Sequence, residues 1–588
     1  MKEFFKMMFA SMLGFFLLSI ILFFIFIGLI ASLVSISTDE EVNVPSKTLL
    51  HLEFNKPITD RAPLNPIFID LTTMSRQIGL NMILKNIQRA KEDENIAGIF
   101  LDINSIDAGI STVSEIRNAL ADFKKSGKFI YSYSEDYSQA AYYLSTVSDR
   151  IFLHPQGMLL FKGINAEMFY LKGMLEKLDV KVQVVRHGKF KAATEPFFLD
   201  KMSAENREQI TAIISSIWEQ MLTGITETRG ISRESLNHLA DSLKIQSPED
   251  ALRYKFIDQL AYKDEIFAEL KKKMDIPEKE KISFITIDKY DKAPAGKKGV
   301  NESRDKIAVI FASGDIVGGE GDDMNTGSEE MSRTIRKARE DERVKAIVLR
   351  VNSPGGSAIA SDVIWREVDL AAKSKPVVAS FGDVAASGGY YIACAASKIL
   401  ADPTTVTGSI GVFGLIPNMK GLFNNKLGIT FDNAKTNLNA DYIPVTSPLS
   451  KYQESVLQNE IERVYATFIN NVAEGRRLNK ATVDSIGQGR VWSATDAKRI
   501  GLIDDFGGLD KAIETAAALA NIKDYRILSL PEQKDLFDQI YDELFGSSAT
   551  SYLTRELGEN YKYYEYLKQV KEMKGIQARL PFELILSN

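Results

Sequence analysis

Ser387 stands in DVAASGGYYIACAAS (383–397), flanked by alanines and glycines. A tight strand-to-helix turn needs residues this small, and such turns are where nucleophiles are displayed. A small buried helix has the same composition. A serine hydroxyl is a poor nucleophile unless a neighbouring base takes its proton. Lys191, in RHGKFKAATEPF (186–197), is a candidate base: Phe190, Ala192, Ala193 and Phe197 surround it. Burial among apolar groups lowers an amine pKa by destabilising the charged form. Glu195 would have the opposite effect, so it must point away or be paired elsewhere. The glycine pair Gly355-Gly356 of NSPGGS (352–357) offers backbone N–H groups that a ligand can approach closely. Together with the N–H of Gly388 they form a candidate oxyanion cradle. Ser409, in TGSIGV (407–412), is a candidate hydroxyl for orienting the lysine.

Each feature alone has a plainer explanation. Ser-Gly-Gly turns are more often packing than catalysis, NSPGG is an ordinary turn, and Lys191 is one of many lysines. His187 stands as an alternative base, although no carboxylate stands out to orient it. Cys394 reads as a small buried hydrophobe.

The chain repeats itself, and the repeat sharpens these readings. KNIQRAKEDENIAGIFLDIN (85–104) aligns without a gap to RTIRKAREDERVKAIVLRVN (333–352), at an offset of 248. The same offset pairs Tyr142-Tyr143 with Tyr390-Tyr391, Pro155 with Pro403 and Gly163 with Gly411. SPEDALRYKFID (247–258) matches SATDAKRIGLID (493–504) at an offset of 246, each opening like a capping box. Within each copy, short β-branched runs alternate with amphipathic stretches, which implies βαβ crossovers and a largely parallel sheet. At offset 248, Ser387 corresponds to Gln139, Ser409 to Phe161, and NSPGGS to NSIDAG. Lys191 corresponds to Asn439. The copy with the serine lacks the lysine, and the copy with the lysine lacks the serine. Such complementary loss is expected if two copies divide one Ser/Lys dyad.

Composition bounds the rest. The 588 residues carry a formal net charge of −6, well mixed, which gives no footprint for nucleic acid. One cysteine excludes a disulfide framework, and four histidines without ligand spacing give no reason to expect a metal or other cofactor. From Met7 to Val34 there is no charged residue over 28 positions, more than the roughly 20 a membrane-spanning helix needs. That length suits a retained anchor rather than a cleavable signal. Lys2 and Lys6 precede it and Asp39–Glu41 follow, so the first six residues are expected in the cytoplasm and the bulk outside. The expected organisation is a cytoplasmic stub (1–6), an anchor (7–34), a first α/β repeat (46–288), a polar linker (289–306), a second repeat (307–525) and a helical tail (526–588).

RVNSPGGSAIAS, AASGGYYIACAASKILADPTTVTGSIGV and GKFKAATEPF resemble the signal peptide peptidase A family in its long two-domain form, also called protease IV. The resemblance covers residues from about 50 to 520. It implies tandem α/β units of the caseinolytic-protease and crotonase-like fold group, with Ser387 as nucleophile and Lys191 as general base. It also implies oxyanion donors at Gly388 and at Gly355 or Gly356, and a homotetramer anchored on the outer (periplasmic) face of the cytoplasmic membrane. The implied substrates are signal peptides left in the membrane after preprotein cleavage. Two other readings compete. A crotonase-like acyl-thioester enzyme conflicts with an exported location, and a non-catalytic membrane scaffold leaves the divided Ser/Lys pattern unexplained.

Overall fold

The computed structural model describes residues 2–36, 42–62, 77–294, 303–322, 324–533 and 575–580. After a helix Lys2–Ile36, whose described apolar side chains are exposed except for a half-buried Met8, come two copies of one α/β unit. The offset seen in the sequence recurs in the elements. Helices Leu80–Glu92 and Ser328–Glu340 begin 248 residues apart, as do helices Ile110–Lys124 and Ala358–Ala372 and strands Phe129–Tyr137 and Val377–Ala386. Leu80–Glu92 buries Leu80, Ile83, Leu84, Ile87 and Ala90, the spacing of one helical face. Strand Val344–Ser353 is buried at nearly every position, as parallel strands covered on both faces are.

Equivalent residues repeat equivalent hydrogen bonds. Tyr142 Oη donates to Phe256 O at 3.0 Å, and Tyr390 Oη donates to Leu502 O at 2.8 Å. Ile151 N donates to Asp258 and Ile399 N to Asp504, both at 2.8 Å. The Ser247 capping box is present, and Ser493 caps its helix in the same place.

The first sheet is fully parallel, in the order Gln259–Leu260, Arg150–Leu159, Phe129–Tyr137, Ile96–Asp102, Thr48–Leu52, Phe284–Thr286. The second is built alike around Val377–Ala386, Val344–Ser353, Lys306–Ser313 and Arg526–Leu530. Arg526–Leu530 thus covers the edge of the second sheet as Phe284–Thr286 covers that of the first, and the second unit runs past residue 525. The tail expected to be helical contributes strands where it is described, here and at Gln577–Arg579. The rest of that expected helical tail, 534–574 and 581–588, lies outside the described residues. The start of the expected linker is helical, Ile287–Lys292, because Ile287 and Tyr290 find a core to pack on.

Two features join the repeats. Helix Ile110–Lys124 of the first docks on the second sheet. Thr112 donates from N and Oγ1 to Asp383 (3.0 and 2.6 Å), and Ser114 donates to Asp402 (2.7 Å). Beside it Arg350, fully buried, reaches Asp60 and Glu115 of the first repeat, each at 2.7 Å, and Ser380 at 2.9 Å. Glu115 also accepts from Leu509 N. The second feature is a third sheet, which carries strand Lys181–Arg186 of the first repeat beside Phe413–Asn418 of the second, antiparallel over six residue pairs, and Gln577–Arg579 between Phe413–Asn418 and Gly355–Ser357.

Removing one partner of a buried ion cluster leaves the others charged and unpaired, at a cost of about 3–5 kcal/mol. Arg350→Leu should therefore lower the thermal midpoint sharply. Burial pushes the Glu115 carboxyl up to about 7 even with Arg350 present. Stability held by its protonated form is complete below its unfolded pKa and is lost as pH rises through about 7. The loss caused by Arg350→Leu should accordingly be smaller at pH 5 than at pH 8. An equal loss at both would show that the carboxylates are not what the arginine stabilises.

Candidate active site

Strand Val377–Ala386 ends at Ser387, and helix Gly388–Ala393 begins directly after it. Ser387 has φ 54° and ψ −113°, a conformation that L-residues rarely adopt and that costs about 1–3 kcal/mol. Its N–H donates to Gly408 O at 2.8 Å, which holds the turn. The glycines that follow are required by space. A Cβ on Gly388 would lie 2.6 Å from Ser361 Oγ, and one on Gly389 would lie 2.5 Å from Ser353 O. The small-residue run is therefore a strand-to-helix turn that displays a hydroxyl.

Lys191 arrives from the other repeat. Strand Lys181–Arg186 pairs with Phe413–Asn418, and the chain then turns back against the second repeat. His187 N donates to Val412 O at 3.1 Å and Phe190 N to Gln488 O at 3.0 Å. Arg186 closes the turn by donating to Lys191 O at 3.2 Å. Gly489 has φ 76°, and a Cβ there would fall 2.6 Å from Lys191 Cβ, so the backbone comes close enough to seal the lysine in.

Lys191 Nζ lies 2.8 Å from Ser387 Oγ and 2.9 Å from Ser409 Oγ, with Ser409 O at 3.3 Å. Lys191, Ser387 and Ser409 are all fully buried. Burial alone pushes the Lys191 amine well below its usual range. Glu195 is no counter-ion, because it accepts from Ser203 and Asn206 instead. A neutral amine keeps a lone pair, and one hydrogen bond from a serine hydroxyl is what such a base needs to take its proton. Gly355 N donates to Ser353 Oγ at 3.1 Å, so of the glycine pair Gly356 is left to join Gly388 as a donor.

A profile of the Peptidase family S49 matches this chain twice, over residues 122–277 and 369–523. Protease 4 of Salmonella typhi is 38% identical over 477 residues, covering 79% of this chain and 76% of its own. The chain belongs to peptidase family S49. The chloroplastic serine protease SPPA of Arabidopsis thaliana is 32% identical, covering 86% of this chain and 74% of its own. A ClpP1 mutant from Listeria monocytogenes superposes over 35% of this chain and 94% of its own, at 15% identity and a TM-score of 0.24.

Only one of the two S49 copies is arranged in this way. Gln139, at the place of Ser387, starts an ordinary helix capped by Ser138. Its side chain accepts from Lys162 N and Gly163 N and donates to Gly163 O, which plugs the equivalent site. Phe161, at the place of Ser409, packs on Trp218 and Phe256. Asn439, at the place of Lys191, is exposed. His187 pairs with Glu462 (2.7 Å) and stacks on Tyr465. Cys394 is buried, its thiol pushed up to about 12 by burial. His51, Glu53 and Asp102 bring ligand-type atoms within 4.8 Å of one another, although the spacing of histidines gave no sign of it. Lys263 already supplies a cation to Asp102 there.

The sequence reading missed Gln209, which donates to Phe190 O and accepts from Val491 N and so ties the lysine turn to the second repeat. It also missed the Gly-Gln-Gly turn (487–489), whose paired glycines were the available signal.

Keeping Lys191 neutral costs stability wherever the unfolded chain binds a proton and the folded chain does not. That cost is complete below the depressed folded pKa and fades as pH rises from there to about 10.5. Lys191→Met should therefore gain in thermal midpoint relative to the parent at pH 7, with the difference shrinking towards pH 10. A pH-independent difference would mean that the folded lysine is charged.

Proposed function

We propose that this chain is a membrane-anchored serine endopeptidase that degrades signal peptides left in the membrane after preprotein cleavage. The observation that carries the reading is Lys191 Nζ at 2.8 Å from Ser387 Oγ, with no counter-ion among the described residues. Ser387 attacks the peptide carbonyl and Lys191 takes its proton. Gly388 N–H and Gly356 N–H hold the developing oxyanion. Lys191 then returns the proton to the departing amine, and Ser409 keeps the lysine aimed.

The helix Lys2–Ile36 anchors the enzyme, with Lys2 and Lys6 in the cytoplasm and the two repeats on the periplasmic side of the inner membrane. Such an anchor keeps the site at the surface where apolar peptides are released. Assembly follows from the duplication. Residues 181–191 of the first repeat reach onto the second, and the matching stretch of the second, 429–439, exposes Ile429, Phe431 and Leu438. A neighbouring copy's first repeat would cover it head to tail, a contact that closes into a ring. A ring of four copies is what the family resemblance implies.

Ser387→Ala and Lys191→Ala are each expected to abolish hydrolysis of an apolar signal-peptide substrate with the fold intact by circular dichroism. Asn439→Ala, at the disused equivalent position, should be nearly silent. Appreciable turnover by either alanine variant at the dyad would sink the mechanism. Leu438→Glu should convert the assembly to smaller species in light scattering, and an unchanged mass would place the interface elsewhere.

A further inference from the structure

Glu195 is a buried carboxylate four residues from the buried amine of Lys191, and a row of side chains on helix Ala204–Arg229 keeps the two apart. Glu195 accepts from Ser203 N at 3.3 Å, from Ser203 Oγ at 2.5 Å and from Asn206 Nδ2 at 3.0 Å. Asn206 Oδ1 in turn accepts from Gln209 Nε2 at 3.0 Å, and Gln209 also donates to Phe190 O. Ser203, Asn206 and Gln209 follow one another at intervals of three, which places them on one helix face. Asn206 and Gln209 are fully buried. Buried amides are costly unless their bonds are made. Here they run in an unbroken row from Glu195 to the carbonyl just before Lys191.

The matching helix of the second repeat, Lys451–Arg476, also has 26 residues. Ser450 caps it as Ser203 caps the first, but Gln453, at the place of Asn206, turns back onto Ser450 N at 2.9 Å in an ordinary capping box. Val456, exposed, stands at the place of Gln209. The row therefore belongs to the copy that carries the lysine. Residues Ala192–Phe197 form a 3-10 helix, whose rise of about 2.0 Å per residue sets Glu195 about 8 Å from Lys191 along the axis. Both side chains are long enough to close that gap. The other charged groups about the turn are engaged elsewhere or face away from the amine. Arg186 donates to Lys191 O, Arg490 stacks on Phe190 and pairs with Glu208, Lys189 lies over the Phe190 ring, and His187 pairs with Glu462. Tyr170 and Arg207 stand on the Glu195 side.

We propose that Ser203 and Asn206 are positioning residues for the general base, holding Glu195 at the helix N-terminus and out of reach of Lys191 Nζ. The proposal rests on the Ser387–Lys191 reading. The helix dipole and three donors favour the carboxylate where it is. Without Asn206 that hold weakens and the amine becomes the competing partner. A carboxylate within about 4–6 Å of an amine favours the ammonium, moving its titration up by about 1–3 pH units. An ammonium has no lone pair to take the Ser387 proton.

The pH profile of kcat/KM for an added apolar peptide, measured on the full chain in detergent beside the thermal midpoint, tests this. Its acid limb reports the ionisation of the base in the free enzyme. Asn206→Leu is expected to move that limb up by about one pH unit, an about tenfold loss below it, with activity recovered at alkaline pH. Glu195→Gln added to Asn206→Leu should return the limb to its wild-type position, because the amide carries no charge. Ser203→Ala, the milder change, should move the limb in the same direction by less. A loss equal at every pH, or a shift that Glu195→Gln leaves in place, shows a merely structural role and overturns the proposal. Where Asn206→Leu does not fold, an unmoved limb in Ser203→Ala overturns it too. Lys191→Ala in the same assay separates the two readings. If that variant is inactive, such results fall on the proposal alone, and if it retains turnover the dyad falls as well.

Discussion

The structure turns on taking one lysine amine out of water with no counter-ion beside it among the described residues. In bulk solvent Lys191 would be an ammonium and no base at all. A carboxylate nearby would keep it so, and the structure commits Glu195 to Ser203 and Asn206 instead. What remains around Nζ among the described residues are serine oxygens and the Phe413 ring, which can hold an amine in place without supplying a counter-charge. Dryness of this kind requires walls, and the walls come from both repeats: the 181–186/413–418 strand pair, the Gly489 backbone, and the turn locked by Gln209. The two repeats therefore cannot be loosely tethered. The buried Arg350 cluster and the Asp383 and Asp402 contacts are the polar side of the same joint, polar because the donors Arg350, Thr112 and Ser114 find acceptors across it.

The duplication gives an internal control for strain. Both copies make the strand-to-helix turn, but only Ser387 is held at positive φ; its counterpart Gln139 is helical and fills the vacant place with its own amide. A strained turn survives where the surrounding structure over-determines it. In the second copy the Gly408 carbonyl and the tight packing around Gly388 and Gly389 do so. Ser409, at φ 50°, is likewise held by the Arg490 carbonyl.

Much of this was legible in the sequence, and the reasons are local. The repeat offset carried the register of helices and strands, down to paired tyrosines that make the same hydrogen bond. The divided serine and lysine could be read from positions where the copies differ. Three-dimensional partners of the joint could not. Arg350 is one of many arginines until its strand meets Asp60 and Glu115 from over 200 residues away. The tail misled for a related reason. A three-residue strand takes its conformation from the two edges that flank it, and Gln577–Arg579 has no periodicity of its own to announce them.

The slot between Gly355–Ser357 and Phe413–Asn418 grips its occupant by the main chain on both sides, and that makes it a conformational filter. A helix has already spent its backbone donors and acceptors on itself, and a strand within a sheet has spent them on neighbours. Neither can enter without first giving those bonds up. Folded domains cannot enter it as they are, whatever their sequence. Only chains that have lost their structure, or never gained any, arrive in a form the slot can hold.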